Sequence, residues 1–239
     1  IGLSSLRHLE RAQLLWESMP ELAHFCVLTA QEEAVVALFS AVAARRYSLS
    51  PLVKNTNHHH KAAVLVYMDA LRSAAKPLLE QINCVFEFQS DSIADSEYLG
   101  LRFKVRERYD REYSAWIVPP LNVMLSNQLE GFDLTPKYEA MASEEGCSSI
   151  AEVIERRANR RNQALYAPDG GLPVIKFGEA TWSLEFGRWL GLTVATLLVA
   201  QEEEKQLFVI RSVEEIGNLV DLLNKKRYPP KRGGQRANM

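Results

Sequence analysis

The feature that most constrains the fold of this chain is a long apolar segment, residues 22–44, with two adjacent carboxylates at its middle. A helix built from it is apolar on nearly every face and is therefore buried. Glu32 and Glu33 then lie where an unpaired charge costs several kcal/mol. The nearest downstream imidazole and ammonium groups are His58, His59, His60 and Lys61. The sequence thus predicts a polar contact between two helices, with Glu33 as the expected carboxylate.

Helical spacing and capping residues predict a mainly α protein, a helical bundle with a small irregular or β-containing insertion around residues 84–130. Asn57 is the expected N-cap of the third helix, which Pro77 is expected to kink or end early. Ser148 or Ser149 is expected to cap the fifth. The run 207–210 fits either a strand or an extension of the last helix. The predicted helices cover residues 3–19, 21–47, 58–81, 136–145, 149–165, 181–204 and 213–226.

The insertion carries three candidate strands, at residues 84–89, 98–105 and 116–125. Pro119 and Pro120 would confine the third strand to a sheet edge. Residues 106–113 are charged enough to form an exposed helix instead. Residues 167–171 predict a turn. The expected organisation is a first bundle part at 1–83, the insertion at 84–135, further bundle helices at 136–226 and a mobile basic tail at 227–239.

Charge is distributed unevenly along the chain, whose formal net charge is −2. The last fifteen positions contain no acid and hold six basic residues, without which 22 basic residues face 30 acidic ones, a net charge of −8. This tail is expected either to be a solvated terminus or to contact nucleic acid or an acidic partner. Its basic residues are Lys225, Lys226, Arg227, Lys231, Arg232 and Arg236.

Cysteine spacing and hydropathy argue against a zinc-binding, disulfide-rich or membrane-spanning protein. Cys26, Cys84 and Cys147 are widely separated, which argues against a structural zinc site or a disulfide framework. No signal peptide is evident at the first residues. The two longest apolar stretches, residues 22–44 and 182–200, are interrupted by charges, which are costly at bilayer depth. We therefore expect two buried helices of a cytoplasmic protein without a membrane span.

The histidine run allows three interpretations. The positive end of the helix dipole favours neutral imidazoles in the first turn, so these can act as bases, acceptors or metal ligands. The simplest interpretation is a polar helix start in which one side chain satisfies the buried glutamate. A metal site with Glu32 or Glu33 lacks the HxxxH or ExxH spacing, so we expect no metal ion and no cofactor. In the third interpretation, the chain binds RNA or a nucleotide, and a histidine and Lys61 supply a base and a cation at its phosphate.

A second charged cluster occupies residues 156–166 and contains four arginines in six positions. Pairing with Glu152 and Glu155, one helical turn earlier, is one interpretation. The alternative is an anion or RNA site, since guanidinium groups bind phosphate bidentately and Tyr166 could stack on a base. The candidate nucleic-acid-binding residues are Arg157, Arg160, Lys225, Lys226 and Arg227.

Two segments carry a resemblance to a known family. AQEEAVVALF at 30–39, followed by NHHHKAAV at 57–64, resembles the AbiV-type abortive-infection branch of the HEPN superfamily. RRNQALYA at 160–167 resembles the Arg-Asn segment on the last core helix of many HEPN domains. The resemblance implies a helical bundle that often dimerises, in a prokaryotic defence or toxin system. In active members it implies a metal-independent ribonuclease whose Arg and His lie on one helix with four to six residues between them.

The chain departs from that pattern, because no histidine follows an arginine at this spacing and Tyr166 stands four residues after Asn162. Two hypotheses follow. In the first, the chain is a ribonuclease whose polar groups converge in one cleft. In the second, it is a non-catalytic binding or sensor subunit of a defence complex. The candidate catalytic residues are Glu33, His58, His60, Lys61, Arg161, Asn162 and Tyr166.

Overall fold

The structure is a computed structural model that describes residues 2–49, 51, 53–81, 83–91, 96–106, 112–117, 119–122, 133–165 and 178–227. Within these ranges the chain forms seven helices and one three-stranded sheet. The prediction of a mainly α protein with a small β-containing insertion is therefore confirmed. The helices are α1 (Gly2–Leu15), α2 (Pro20–Ala44), α3 (His58–Gln81), α4 (Thr135–Glu144), α5 (Ile150–Leu165), α6 (Glu179–Gln201) and α7 (Leu207–Arg227). The strands are β1 (Asn83–Asp91), β2 (Ser96–Arg106) and β3 (Glu112–Ile117).

Two prolines bear on the helix boundaries. α1 ends at Leu15, before Pro20, and Pro20 begins α2, because its missing N–H and restricted φ suit the first helical turn. Pro77 lies inside α3, which ends at Gln81, as the predicted range of residues 58–81 has it, so Pro77 does not end the helix early. One proline removes a single backbone donor, and the helix resumes beyond it. The run 207–210 belongs to α7 and is not a strand.

The sheet is antiparallel, with β2 between β1 and β3. The first two strands match the prediction, whereas the third lies earlier than expected, because Pro119 and Pro120 stand in a turn after β3. The predicted exposed helix at 106–113 is also wrong, since both of its ends lie in strands. Gln201, at the end of α6, binds the sheet by donating to Leu99 O at 2.7 Å and accepting from Leu99 N–H at 3.0 Å.

The main apolar core lies between the helices and joins side chains from α1 to α7. A buried polar chain holds three of these helices together: Trp189 donates to Ser5 Oγ at 2.7 Å, and Ser5 donates to Ala30 O at 2.6 Å. A smaller cluster around Val42, Tyr47 and Val213 extends the core toward the start of α7. The predicted turn at 167–171 and tail residues 228–239 lie outside the described part of the chain.

Two helices, α2 and α6, are long and apolar enough to cross a membrane. Of their most apolar windows, 56% is buried for α2 and 22% for α6. Core helices of soluble proteins pass the same test of length and composition, so this finding does not decide between burial in a protein and insertion in a membrane. The expected cytoplasmic location remains a prediction.

Candidate functional site

Side chains at the start of α3 form hydrogen bonds with this turn and with the preceding loop. Asn57 Oδ1 accepts from the backbone N–H of His59 at 2.9 Å, which confirms Asn57 as the N-cap. His60 is buried, and its Nδ1 accepts from the backbone N–H of Lys54 at 2.8 Å. Its Nε2 lies 3.1 Å from Asn57 Nδ2. This candidate catalytic histidine therefore has a structural role in the loop.

A carboxylate on α2 compensates the charges at this helix start. His58 Nδ1 lies 3.0 Å and 2.9 Å from the two oxygens of Glu32, and Lys61 Nζ lies 3.5 Å from Glu32 Oε2. We call Glu32, His58 and Lys61 the helix-start cluster. The sequence predicted such a contact but assigned it to Glu33, which is half-buried. Adjacent helical residues point about 100° apart, so only one of the two glutamates faces α3.

Exposure differs sharply within the helix-start cluster. The His58 side chain is 47% exposed, whereas Glu32 is 12% and Lys61 is 10% exposed. With its Nδ1–H donated to the carboxylate, neutral His58 keeps the Nε2 lone pair. A carboxylate that orients a histidine in this way is an arrangement suited to proton transfer.

A second set of charges lies deeper in the bundle and centres on Asp69 of α3. Asp69 Oδ2 lies 2.5 Å from Arg157 Nη1 and 2.6 Å from Arg188 Nη2, and Oδ1 accepts from Arg188 Nε at 3.0 Å. One carboxylate therefore binds guanidinium groups from both α5 and α6. Charge-assisted bonds of this kind are among the strongest that side chains make.

Both arginines also bind a second carboxylate. Arg157 donates to Glu145 Oε1 from Nη2 at 2.6 Å and from Nε at 2.8 Å. Arg188 Nη1 donates to Glu185 Oε1 at 2.7 Å, and Gln31 donates to Glu185 Oε2 at 2.7 Å. We call this set the buried ion network: Asp69, Glu145, Arg157, Glu185 and Arg188.

Burial and pairing act in opposite directions on the ionisation of this network. Burial raises the pKa of Asp69, but the hydrogen bonds and charges of Arg188 and Arg157 outweigh it and hold that pKa below its usual value. Burial likewise lowers the pKa of Arg188, yet Asp69 and Glu185 raise it above its usual value. Both groups are therefore charged at neutral pH, and each depends on the other to remain so.

Two neighbouring basic groups have their pKa values lowered. Burial lowers the pKa of His24, Glu185 opposes this, and Arg160 acts in the same direction as burial. Burial and the charge of Arg157 lower the pKa of Arg160, against the attraction of Glu145 and Glu185. His24 is therefore neutral at pH 7, whereas an arginine retains its charge.

The arginine cluster of α5 divides between the interior and the surface. Arg156 faces Glu152 at 3.9 Å, as the pairing interpretation predicted. Arg157 does not pair with Glu152 or Glu155; it points between α3 and the end of α4 and binds Asp69 and Glu145 instead. With 12% of its side chain exposed, Arg157 is largely withdrawn from any external ligand.

Further exposed or partly exposed cations lie on α5 and at the end of α7. Lys226 Nζ lies 2.8 Å from Glu155 Oε2, which holds the two helices side by side at this point. We call the exposed or partly exposed cations there the basic edge: Arg156, Arg160, Lys225 and Lys226. Arg161 and Asn162 belong to α5, and Arg227 ends α7, but their side chains, like all of Tyr166, lie outside what is described. Their predicted roles stay predictions.

Sequence reasoning missed the residues at the centre of the buried ion network. Glu185 and Arg188 were used only to argue against a membrane span, and Asp69 and Gln31 were passed over. A signal was present, since Asp69 interrupts an apolar helix and Glu185 and Arg188 are three residues apart within another. Isolated charges in apolar helices need partners, and two such helices can supply them to each other.

Within the residues that the structure describes, no group of three or more His, Cys, Asp or Glu side chains is placed to hold a metal ion. The helix-start cluster offers an oriented histidine, and the basic edge offers exposed cations that suit an anionic ligand.

In comparisons with known proteins, no family model, no curated protein and no solved structure matches this chain.

Proposed function

We propose that this protein is a HEPN-like RNA-binding subunit of a prokaryotic defence system, acting in the cytoplasm without cleaving RNA itself. The observation that carries the proposal is the contact between Lys226 and Glu155. It joins α5, which carries Arg156 and Arg160, to the end of α7, which continues in sequence into a tail without acidic residues. Phosphate contacts by such cations dominate affinity for RNA without requiring a catalytic group.

The most exposed ion pair of the basic edge leaves Lys225 available to phosphate. Lys225 pairs with Asp221 at 2.8 Å, and its side chain is 69% exposed. Exposed pairs of this kind contribute about 0–1 kcal/mol, so a phosphate can replace the carboxylate at little cost. The candidate catalytic residue His60, by contrast, is buried and bound to the loop backbone. These contacts favour binding over catalysis.

Fluorescence anisotropy with a labelled single-stranded RNA, measured over a range of salt concentrations, tests the proposal. A variant with all four residues of the basic edge replaced by Ala should bind more weakly, and its plot of log affinity against log salt should be shallower by up to about 3, or roughly 0.7 for each lost phosphate contact. The matched control removes the same charge elsewhere, with Ala at Arg7, Arg11, Lys205 and Arg211. Equal losses in the two variants, or no binding by the wild type, would contradict the proposal.

A second candidate function, RNA cleavage without a metal, is favoured by the bond between Glu32 and His58. It orients an exposed histidine as a general base for a ribose hydroxyl. Incubating RNA with the wild type and with His58→Ala, both in a chelator, separates the two functions. The binding proposal expects no cleavage by either protein. Cleavage by the wild type that His58→Ala loses would replace it with the ribonuclease.

A further inference from the structure

A cavity of about 430 Å³ lies on the side of the bundle formed by α2, α3, α6 and α7. Its volume falls within the range of small-molecule pockets, roughly 300–1,000 Å³. The cavity opens to solvent at its rim, where Phe86 is 46% and Leu190 is 45% exposed, so its apolar surface stays in contact with water unless a ligand covers it. Neither the helix-start cluster nor the basic edge contributes to its lining.

The lining of this cavity excludes a charged ligand. Among the lining residues that the structure describes there is no Asp, Glu, Lys, Arg or His, and all are apolar apart from Tyr67 and Ser212. An ionic group brought into such surroundings loses its hydration and meets no opposite charge, which opposes binding strongly. The walls come from four helices, with Phe39, Val64, Leu198 and Val213 among them.

The two polar side chains of the lining are bonded in a fixed direction. Ser212 Oγ donates its only proton to Phe208 O at 2.7 Å. The 2.7 Å bond between Tyr67 and Ser212 must then run from the tyrosine hydroxyl to Ser212 Oγ. The Tyr67 oxygen keeps its acceptor capacity while its proton is committed. Burial raises the pKa of Tyr67 to about 12, so the hydroxyl keeps its proton at neutral pH.

Two glycines on α6 shape the wall of the cavity. A Cβ at Gly191 would lie 3.0 Å from Met68 Cε, so the missing side chain at Gly191 allows α6 to approach Met68 of α3 closely. A Cβ at Gly187 would meet no atom within 4 Å, because its position faces open space. A side chain at Gly187 would therefore enter the cavity without a clash.

We propose that this cavity binds an uncharged, mainly apolar molecule that carries one hydroxyl group, of the kind represented by a medium-chain alcohol. The apolar body fills the space between the four helices, and the ligand hydroxyl donates to the Tyr67 oxygen. A carboxylate of the same length is rejected because the lining supplies no cation. An ether of the same length fills the cavity but cannot donate to Tyr67.

The experiment measures the melting temperature of the full chain, by circular dichroism, with 1-decanol, decyl methyl ether or decanoate. 1-Decanol should raise it saturably, by about 5–10 °C at hundredfold excess over the dissociation constant. The ether should bind about five- to tenfold more weakly, and decanoate should give no saturable rise. No saturable rise with 1-decanol would overturn the proposal.

Two variants locate the ligand. Gly187→Leu should abolish the effect of 1-decanol while remaining folded, since leucine favours a helix more than glycine does. Ser183→Leu, one turn earlier on α6 and outside the lining, should retain it. Tyr67→Phe should lower the affinity for 1-decanol to that of the ether. The affinity for the ether should stay the same.

Other outcomes point to a different occupant. If Gly187→Leu and Ser183→Leu respond alike to 1-decanol, the alcohol binds elsewhere and the proposal fails. It also fails if light scattering shows a wild-type dimer that Gly187→Leu disrupts and 1-decanol leaves unchanged, because a second copy of the chain would then cover the cavity.

Discussion

The helix-start cluster and the buried ion network both join carboxylates to cations across helices, but only the first includes a side chain that is largely exposed to water. His58 in the first is 47% exposed, whereas Arg157 and Arg188 in the second are 12% and 11% exposed. An exposed pair gains little from its charges because water screens them. A buried pair must remain complete, because each charge left alone has lost its hydration. The comparison teaches that the contribution of a carboxylate–cation contact to stability depends on whether its members are exposed to water.

The largest expected effect comes from removing the carboxylate at the centre of the buried ion network. Asp69→Ala leaves Arg157 and Arg188 without their shared partner, so we expect the free energy of unfolding to fall by about 3–5 kcal/mol in urea titrations. The matched control is Asp221→Ala, whose partner Lys225 is exposed, with an expected change within about 0.5 kcal/mol. Similar losses in both variants would remove the distinction between the two regions.

A smaller effect is expected at the loop that holds the helix-start cluster. Asn57→Ala removes the acceptor for the His59 N–H, and the free energy of unfolding should fall by about 0.5–2 kcal/mol. Asn57→Ser keeps a capping oxygen and should recover most of that loss, again measured by urea titration. Equal losses for Ala and Ser would show that the cap is not what fastens the loop.

The smallest loss of stability at neutral pH is expected from the exposed member of the helix-start cluster. His58→Ala should lower the free energy of unfolding by about 0.2–1 kcal/mol, because water screens its pairing with Glu32. Thermal and urea unfolding measure this difference. A loss as large as that of Asp69→Ala would mean that the two regions do not differ in kind.

The last prediction concerns pH and the histidine beside the buried ion network. Burial, assisted by Arg160, holds the folded-state pKa of His24 below its usual value of 6.5. As the pH falls through about 6.5, the unfolded chain binds a proton that the folded protein does not, so stability decreases. Unfolding at pH 7.5 and pH 5.5 should therefore show a smaller loss for His24→Gln than for the wild type. Identical losses in both proteins would assign the pH dependence to other groups.

Local signals in the sequence predicted most of the helices. Helical spacing located α1 to α7, and Asn57 marked the start of α3 because an amide oxygen can accept from the first free N–H groups. The third strand was misplaced because the residues around Pro119 and Pro120 look apolar enough for a strand, although a turn suits prolines better. The predicted end of α3 at residue 81 is confirmed, with Pro77 inside the helix.

The candidate site was less predictable, because its contacts join residues far apart in sequence. Arg157 was expected to pair one turn away, with Glu152 or Glu155, but Asp69 lies 88 positions earlier in the chain. Sequence patterns within one helix cannot identify a partner that lies so far away in the chain. It also cannot choose between Glu32 and Glu33, since adjacent residues differ by rotation about the helix and only packing decides which one faces α3.

The sequence by itself determined that this chain forms apolar helices with a few charges that must find partners. Its composition and periodicity require this, because an unpaired buried charge is too costly to tolerate. Only the tertiary structure decided which charges meet, which of them remain in water and where a cavity stays open. Those outcomes depend on how the helices are rotated and packed against one another, which no single segment encodes.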